Sequence, residues 1–206
     1  MLVFVCTFIL AFAISFVGSI QPGPVNLAVL TSSSLKQYKN AISIAIGGSL
    51  PEFLFCFIAF KASYLIIKWH QIFYFLQIVM TILLLVLGVF LWFNKSNVAL
   101  IATKKNGFLL GTALAILNPQ LIIFWTTVIT YIHVNNLFYI HLDDIKYAFF
   151  YFCAGATMGA FSLHCLLIYL SKVLVDIPLK LFFNYADKTI ALIFVILAIV
   201  QIIKLK

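Results

Sequence analysis

Two interruptions of long apolar segments are the features of this sequence best suited to bind a small molecule. The first is Gln21-Pro22-Gly23-Pro24-Val25-Asn26, and the second is Asn118-Pro119-Gln120. Proline removes a backbone donor and frees a carbonyl, which a lipid-spanning helix tolerates only where the backbone is buried in protein or faces a watery cavity. A half-helix N-terminus attracts an anion, and a freed carbonyl accepts from an ammonium or coordinates a cation. Together the two interruptions predict a site for a zwitterion.

The amide side chains at the interruptions suit the same ligand. Asn26, Asn118 and Gln120 could each donate and accept hydrogen bonds across a cavity. The alternative is that the prolines only kink ordinary membrane helices, which tolerate them. Two interruptions in corresponding parts of a chain favour a site over two independent kinks.

Glu52 is the only acidic residue deep inside an apolar segment, where it follows Pro51 and the small-residue run Gly47-Gly48-Ser49. An ionisable group at such depth is costly unless it is paired, hydrated or neutralised, and it commonly marks a substrate or proton pathway. We therefore expect Glu52, with Gly48 beside it, to bind a substrate ammonium or to carry a proton. The alternative is a protonated glutamic acid that is hydrogen-bonded within the helix bundle.

His164 lies in another apolar segment and could relay protons, although a neutral histidine bonded to a neighbour fits as well. The remaining histidines lie at segment ends or in loops, and their spacing matches no zinc motif. No nucleophile elbow, phosphate-binding glycine loop or zincin motif is present in the sequence. Only Ser49 or Ser162 beside His164 offers a loose nucleophile-base pair. We therefore predict no enzyme activity, no cofactor and no metal site.

The composition is that of a membrane protein, since 65% of the 206 residues are hydrophobic, 9% are charged and the mean hydropathy is +1.19. Soluble domains contain about 25% charged residues. Six apolar blocks predict bilayer-spanning helices, which need roughly 20 residues each. The blocks are residues 2–30, 41–67, 72–93, 108–131, 147–170 and 189–203. We predict an all-α, polytopic membrane protein with six transmembrane helices, in which residues 1–206 form a single membrane-embedded domain.

The broken first and fourth helices each open a group of three, which is the sequence sign of inverted repeats. We predict repeat 1 at about residues 1–93 and repeat 2 at about residues 107–206, with opposite topologies. Residues 46–52 match residues 158–164 weakly, and the match pairs Gly47 with Gly159 and Glu52 with His164. Chance similarity between two apolar helices rich in small residues is the alternative.

All 13 basic residues are lysine, and they give the chain its net charge of +8. They lie at segment ends without a patch of exposed aromatic residues, so we expect a lipid bilayer and no nucleic acid as partner. If the six helices alternate, eight lysines lie on one side and five on the other. By the positive-inside rule, the lysine-rich side is cytoplasmic and both termini are extracytoplasmic. An interfacial aromatic belt accounts for most of Trp69, Trp92, Trp125 and the tyrosines.

These motifs resemble those of the lysine exporter (LysE/RhtB) family of amino-acid translocators. The matching positions are Pro22, Gly23, Pro24 and Asn26 in the first helix, Gly47, Gly48 and Glu52 in the second, and Asn118 and Pro119 in the fourth. The chain departs from the family pattern at Gln21, at the inserted Val25, at Glu52 in place of aspartate, and at Gln120 in place of lysine. Length and segment order resemble the family over essentially the whole chain.

The resemblance implies a multi-pass protein of the bacterial cytoplasmic (inner) membrane. It also implies export of an amino acid or related small metabolite, driven by the proton gradient, with a homodimer as one open state of assembly. Two other functions stay open. One is efflux of a cation such as a divalent metal, for which one acid and a few amides are a thin ligand set. The other is a membrane subunit that transports nothing by itself.

Overall fold

The described part of the chain is helical throughout. The computed structural model describes residues 2–20, 23–68, 106–134 and 145–173, together with single positions between 78 and 92 and between 192 and 199. No strand occurs among these residues. The helices with described bounds are α1 (Leu2–Gly18), α2 (Pro24–Ser34), α3 (Tyr38–Lys68), α4 (Gly107–Ile116), α5 (Pro119–Val134) and α6 (Ile145–Val173).

The helices follow the predicted apolar segments, and both predicted interruptions separate two helices. The first segment consists of α1 and α2, and the fourth consists of α4 and α5. Two stretches, Tyr38–Lys61 and Ala148–Val173, are long and apolar enough to cross a membrane. A third span results if Gly107–Ile116 and Gln120–Ile132, which bend by 58° at their junction, are taken together. The predicted third and sixth helices lie outside the described residues except for single helical positions.

The chain divides into two compact units. The first contains Met1–Ser63 and Val98–Val175, and it holds α1, α2, α4, α5, α6 and most of α3. The second contains Tyr64–Asn97 and Asp176–Lys206, and it is described only at the end of α3 and at single helical positions. All the contacts reported below belong to the first unit.

Helix α2 is delimited by residues that suit its two ends. It starts with Pro24, whose fixed φ suits the first helical position and whose missing N–H would have had no helical partner. It ends in a Schellman motif, in which Gln37 N–H donates to Ser32 O at 3.0 Å and Lys36 N–H donates to Ser33 O at 2.9 Å. Lys36 has φ 60°, the left-handed conformation that this motif requires. The motif turns the chain directly into α3.

The same end of α2 is attached to α6 by side chains. Ser171 Oγ donates to Ser33 Oγ at 2.6 Å, and Ser33 Oγ donates to the Ile168 carbonyl at 3.4 Å. Nearby, the Lys172 ammonium lies 4.3 Å from the centre of the Tyr38 ring, at the start of α3. The C-terminal ends of α2 and α6 therefore meet the N-terminal end of α3.

Helices α1 and α6 approach so closely that only glycine fits at two positions of α6. A Cβ atom at Gly155 would overlap with the Phe8 carbonyl, and a Cβ atom at Gly159 would overlap with the Phe12 carbonyl. Small residues permit this approach in membrane helices, where packing rather than the hydrophobic effect holds helices together. The contact keeps α1 beside α6 along much of its length.

Helices α3 and α4 form a second close contact of the same kind. A Cβ atom at Gly47 would overlap with the Phe108 carbonyl, and one at Gly111 would overlap with the Ile44 carbonyl. Thr112 Oγ1 lies 3.1 Å from the Gly47 carbonyl across the interface and 3.0 Å from the Phe108 carbonyl of its own helix, so its one hydrogen is shared between two acceptors. Each broken segment therefore packs its first helix on the long helix of the other predicted repeat.

Trp125 occupies the apolar core of the first unit. Its side chain is fully buried, and its ring meets the rings of Phe124 and Phe152 edge to face at 5.1 Å and 5.7 Å between centroids. Cys56 and Cys153 pack in the same cluster as free thiols. Trp125 therefore belongs to the protein core and contacts Phe152 of α6, whereas an interfacial belt residue would be exposed.

We expect Gly159→Leu to destabilise the protein, because overpacking a close helix contact costs about 1–3 kcal/mol. Thermal unfolding of the purified protein in detergent measures the effect as a lower midpoint. Met158→Leu is the matched control, since Met158 is the neighbouring residue and is 47% exposed. Equal midpoints for the two variants would contradict the close α1–α6 contact.

Candidate functional site

A pocket lies where the two interruptions meet α3 and α6. Its volume is about 70 Å³, which holds roughly five to seven water molecules at the ~10–15 Å³ that each requires. The first interruption contributes Gly18, Ser19, Gly23, Val25 and Asn26 to its lining. The second contributes Asn118, Gln120, Leu121 and Phe124, and the long helices contribute Gly48, Glu52 and His164. Both interruptions, which are distant in sequence, therefore face one small cavity.

Asn26 closes the gap between α1 and α2. Its Nδ2 donates to the Ser19 carbonyl at 2.7 Å, just beyond the end of α1. A broken helix leaves carbonyl groups at its C-terminal end without helical partners, and a side-chain amide can take the place of the missing backbone donor. Asn26 is largely buried and lines the pocket, although Val25 stands between it and Pro24.

Asn118 performs the corresponding task at the start of α5. Its Oδ1 accepts a hydrogen bond from Gln120 N–H at 3.2 Å, and its carbonyl accepts from Leu121 N–H at 3.3 Å. Asparagine is a favoured N-cap because its oxygen satisfies an amide that the helix leaves unpaired. The N-terminal ends of α2 and α5, with their partial positive charge, thus both border the pocket.

Glu52 is held by a hydroxyl group of α1 and by a second hydroxyl group just beyond the end of α1. Its carboxyl group lines the pocket, and the residue is only 4% exposed. Ser15 Oγ donates to Oε2 at 2.8 Å, and Ser19 Oγ donates to Oε1 at 3.5 Å. Proline at position 51 does not interrupt α3, which runs through Glu52. The acidic side chain therefore crosses from α3 to the helix that precedes the first interruption.

His164 is bonded to Ser49 inside the same region. Ser49 Oγ lies 3.1 Å from His164 Nδ1 and 2.7 Å from the Ala45 carbonyl. The hydroxyl has one hydrogen, so when it donates to Ala45 the histidine carries its proton on Nδ1 and Nε2 is the acceptor. The weak match that paired Glu52 with His164 thus joins two residues that line one pocket.

Val25 packs against Gly48 of α3, where only glycine leaves space for the valine side chain. A Cβ atom at Gly48 would overlap with Val25 Cγ1. Both residues line the pocket, so this contact sets the distance between the start of α2 and the middle of α3. The valine that departs from the family pattern therefore fills space left by a glycine.

The structure brings together most of the site residues expected from the sequence. Those that line the pocket are Gly23, Asn26, Gly48, Glu52, Asn118, Gln120 and His164. Pro24 and Pro119 are the first residues of α2 and α5, and Gln21 and Pro22 lie outside the described residues.

Several residues of the site were not expected from the sequence. They are Ser15 and Ser19, which bond Glu52, and the lining residues Gly18, Val25, Leu121 and Phe124. A serine every four residues on α1 is a weak signal, because serine is common in membrane helices. Where side chains are described, no three His, Cys, Asp or Glu residues lie close enough to hold a metal ion.

The comparison with known families agrees with this geometry. Residues 16–205 match the family described as LysE type translocator. The chain belongs to this family. The resemblance drawn from the interruptions and Glu52 is thereby confirmed, and the chain is a membrane transport protein of a family of translocators rather than of enzymes. No curated protein and no solved structure matches this LysE type translocator.

We expect Gly48→Ala to destabilise this LysE type translocator, because the added methyl group overlaps with Val25. Adding Val25→Ala should restore part of the lost stability, with a coupling energy of about 0.5–3 kcal/mol. Thermal midpoints of the two single variants and the double variant measure the coupling. Val29→Ala is the matched control, since Val29 is a buried valine of the same helix that does not line the pocket. Equal rescue by Val29→Ala would contradict the direct contact.

Proposed function

We propose that this protein exports amino acids or related small metabolites across the bacterial cytoplasmic membrane, coupled to the proton gradient. The observation that carries the proposal is the pocket itself. Two helix N-termini and one carboxyl group border a cavity of about 70 Å³, and these are the groups that a small zwitterion requires.

The ligand's carboxylate is proposed to lie at the start of α2, close to the start of α5. The Gln120 and Leu121 amides of α5 already donate to Asn118, so α5 contributes its partial positive charge. Backbone amides and the partial positive charge at a helix N-terminus bind anions without a basic side chain. No lysine is among the described residues that line the pocket. Since Asn118 uses Oδ1 to cap α5, it would offer the ligand its Nδ2 donor.

The ligand's ammonium is proposed to bind Glu52. The remaining acidic residues of the chain, Asp143, Asp144, Asp176 and Asp187, all lie outside the predicted membrane segments. One carboxyl group within the membrane supports a substrate with one ammonium group rather than two. The apolar side chains of Val25, Leu121 and Phe124 would then contact the remainder of the substrate.

Proton coupling is proposed to use the same carboxyl group. Intramembrane carboxylates commonly serve as proton sites. Glu52 and His164 line one pocket, so a proton released by Glu52 would pass to water in that pocket and from there to His164 Nε2. Competition between an ammonium and a proton for Glu52 would couple the two movements.

The six-helix inverted repeat is part of the proposal. Its support is the pair of close contacts at matched glycines, in which Gly159 meets the Phe12 carbonyl and Gly47 meets the Phe108 carbonyl. Exchanging the two repeats converts the α1–α6 contact into the α4–α3 contact. A single translocator domain composed of two such repeats accounts for both.

A cytoplasmic position is proposed for the end where α2 and α6 meet α3. Lys36 and Lys39 are exposed at that end, and Lys172 lies over Tyr38 there. These lysines belong to the lysine-rich side, which the positive-inside rule assigns to the cytoplasm. Both termini would then be extracytoplasmic.

We expect Glu52→Gln and Asn118→Ala to abolish efflux from cells loaded with substrate while expression is retained. The first change removes the charge that binds ammonium or proton, and the second removes an amide of the pocket. Radiolabelled amino-acid efflux measures the effect, and immunoblots of membranes measure expression. Asn106→Ala is the matched control, because Asn106 is exposed and caps α4 without a side-chain bond.

Asn118→Ser separates binding from capping at this position. Serine keeps an oxygen for the Gln120 amide, so the cap, worth about 1 kcal/mol, is retained while the amide donor is lost. Loss of efflux in this variant supports contact with the substrate. Normal efflux by Asn118→Ser, together with a destabilised Asn118→Ala protein, would show that Asn118 only caps α5. Unchanged export by Glu52→Gln would overturn the proposed site.

We expect the purified protein to transport in liposomes without another subunit. A panel of radiolabelled amino acids should show flux that increases with an imposed pH gradient, and neutral amino acids should exceed lysine because the pocket offers one carboxyl group. Protein-free liposomes and Glu52→Gln liposomes are the controls. No flux with any amino acid would indicate a partner-dependent subunit, and flux of a divalent metal alone would indicate cation efflux.

A further inference from the structure

The buried indole of Trp125 has a donor without an acceptor. Its Nε1–H is enclosed in the core, and among the described residues it is one of two buried side-chain polar atoms that make no hydrogen bond. A buried donor without a partner costs about 1–3 kcal/mol, so native proteins rarely keep one without a use. The ring packs edge to face with Phe124 and Phe152 and is fully buried.

The carboxyl group of Glu52 is an acceptor close to this donor. The indole of Trp125 interacts with this carboxyl group but does not meet the distance and angle of a hydrogen bond. Phe124, the residue before it, lines the pocket, whereas Trp125 does not. Glu52 therefore lines the pocket and accepts hydrogen bonds from Ser15 and Ser19. The Trp125 indole of α5 is a further donor beside it that makes no hydrogen bond.

The donors around Glu52 differ in what they can bind. A serine hydroxyl donates and accepts, so Ser15 can bond either a carboxylate or a protonated carboxyl group. An indole can only donate. An ionised carboxylate only accepts, at about four sites, whereas a protonated carboxyl group also carries a hydrogen that needs an acceptor. A donor-only partner therefore favours the ionised group, and bonds to an ionised acceptor are the stronger ones.

We propose that Trp125 is a positioning residue for Glu52, whose Nε1–H donates to the carboxylate once Glu52 has lost its proton. The proton passes to water in the pocket, and no covalent bond besides the O–H bond of Glu52 is broken. The carboxylate then accepts from Trp125 on α5 in addition to Ser15 on α1 and Ser19 just beyond it. The inference rests on the proposed function only in that Glu52 must exchange a proton.

Three other titratable groups lie near Glu52 among the described residues. Cys56 lies one turn along α3 and interacts with Glu52, and Cys153 of α6 packs against Cys56. His164 of α6 lines the same pocket. None of these groups contains an indole, so a signal from Trp125 Nε1–H that depends on Glu52 reports this contact alone.

The test uses the full chain in lipid nanodiscs, with Trp69→Phe and Trp92→Phe, so that Trp125 is the single tryptophan. Indole-¹⁵N labelling then gives one Nε1–H resonance by NMR. We expect this resonance to move downfield as the pH rises from about 5 to about 9, a range that covers buried carboxyl groups. In the same protein with Glu52→Gln, the resonance should stay in place.

A resonance that does not move in the protein with Glu52, or that moves equally with Glu52→Gln, would overturn the inference. The measurement needs neither substrate nor flux, so failure of the proposed export would leave it interpretable. As a second readout, Trp125→Phe in liposomes should move the pH profile of flux to higher pH, because the carboxylate has lost a donor. Trp92→Phe, at an exposed position, is the matched control, and identical profiles for both variants would also overturn the inference.

Discussion

The hydrogen bond from Ser15 Oγ to Glu52 Oε2, at 2.8 Å, is the interaction on which the rest of this structure depends. A carboxyl group within an apolar membrane segment is costly unless neighbouring groups supply its partners. That requirement fixes α1 beside α3, and the glycine contacts Gly155 and Gly159 allow α1 to lie there while packed on α6. Gly155 and Gly159 thus allow α1 to pack closely on α6 while Ser15 bonds Glu52.

The two interruptions follow the same rule for backbone groups. At the first, the Asn26 amide donates to the Ser19 carbonyl, and at the second Asn118 Oδ1 accepts from the Gln120 amide. Each asparagine satisfies one backbone group that a continuous helix would have paired internally. At each interruption one backbone group is therefore paired by an asparagine side chain, and residues of both interruptions line one pocket.

The sequence predicted the parts of the site that are local anomalies. Prolines beside amide residues, or a glutamate within an apolar segment, stand out without any knowledge of neighbours, so the interruptions and Glu52 could be named. Ser15 and Trp125 could not, since serine and tryptophan are ordinary in membrane helices. Their roles arise from contacts across 37 residues in one case and from burial on α6 in the other. The interruption at Pro119 was visible in the sequence, but which side chain of the following helix is buried was not.

Helix α2 has a mechanical consequence that follows from its two ends. Eleven residues form a rod of about 16 Å, at 1.5 Å per residue, and a rod of three turns does not bend appreciably. One tip borders the pocket, and the other is tied to α6 through Ser33 and Ser171. Any tilt of the inner tip must stretch that hydroxyl pair at the far tip. A displacement at the pocket end of α2 is therefore coupled to the Ser33–Ser171 hydrogen bond, at a distance of about half the thickness of the membrane's hydrocarbon core.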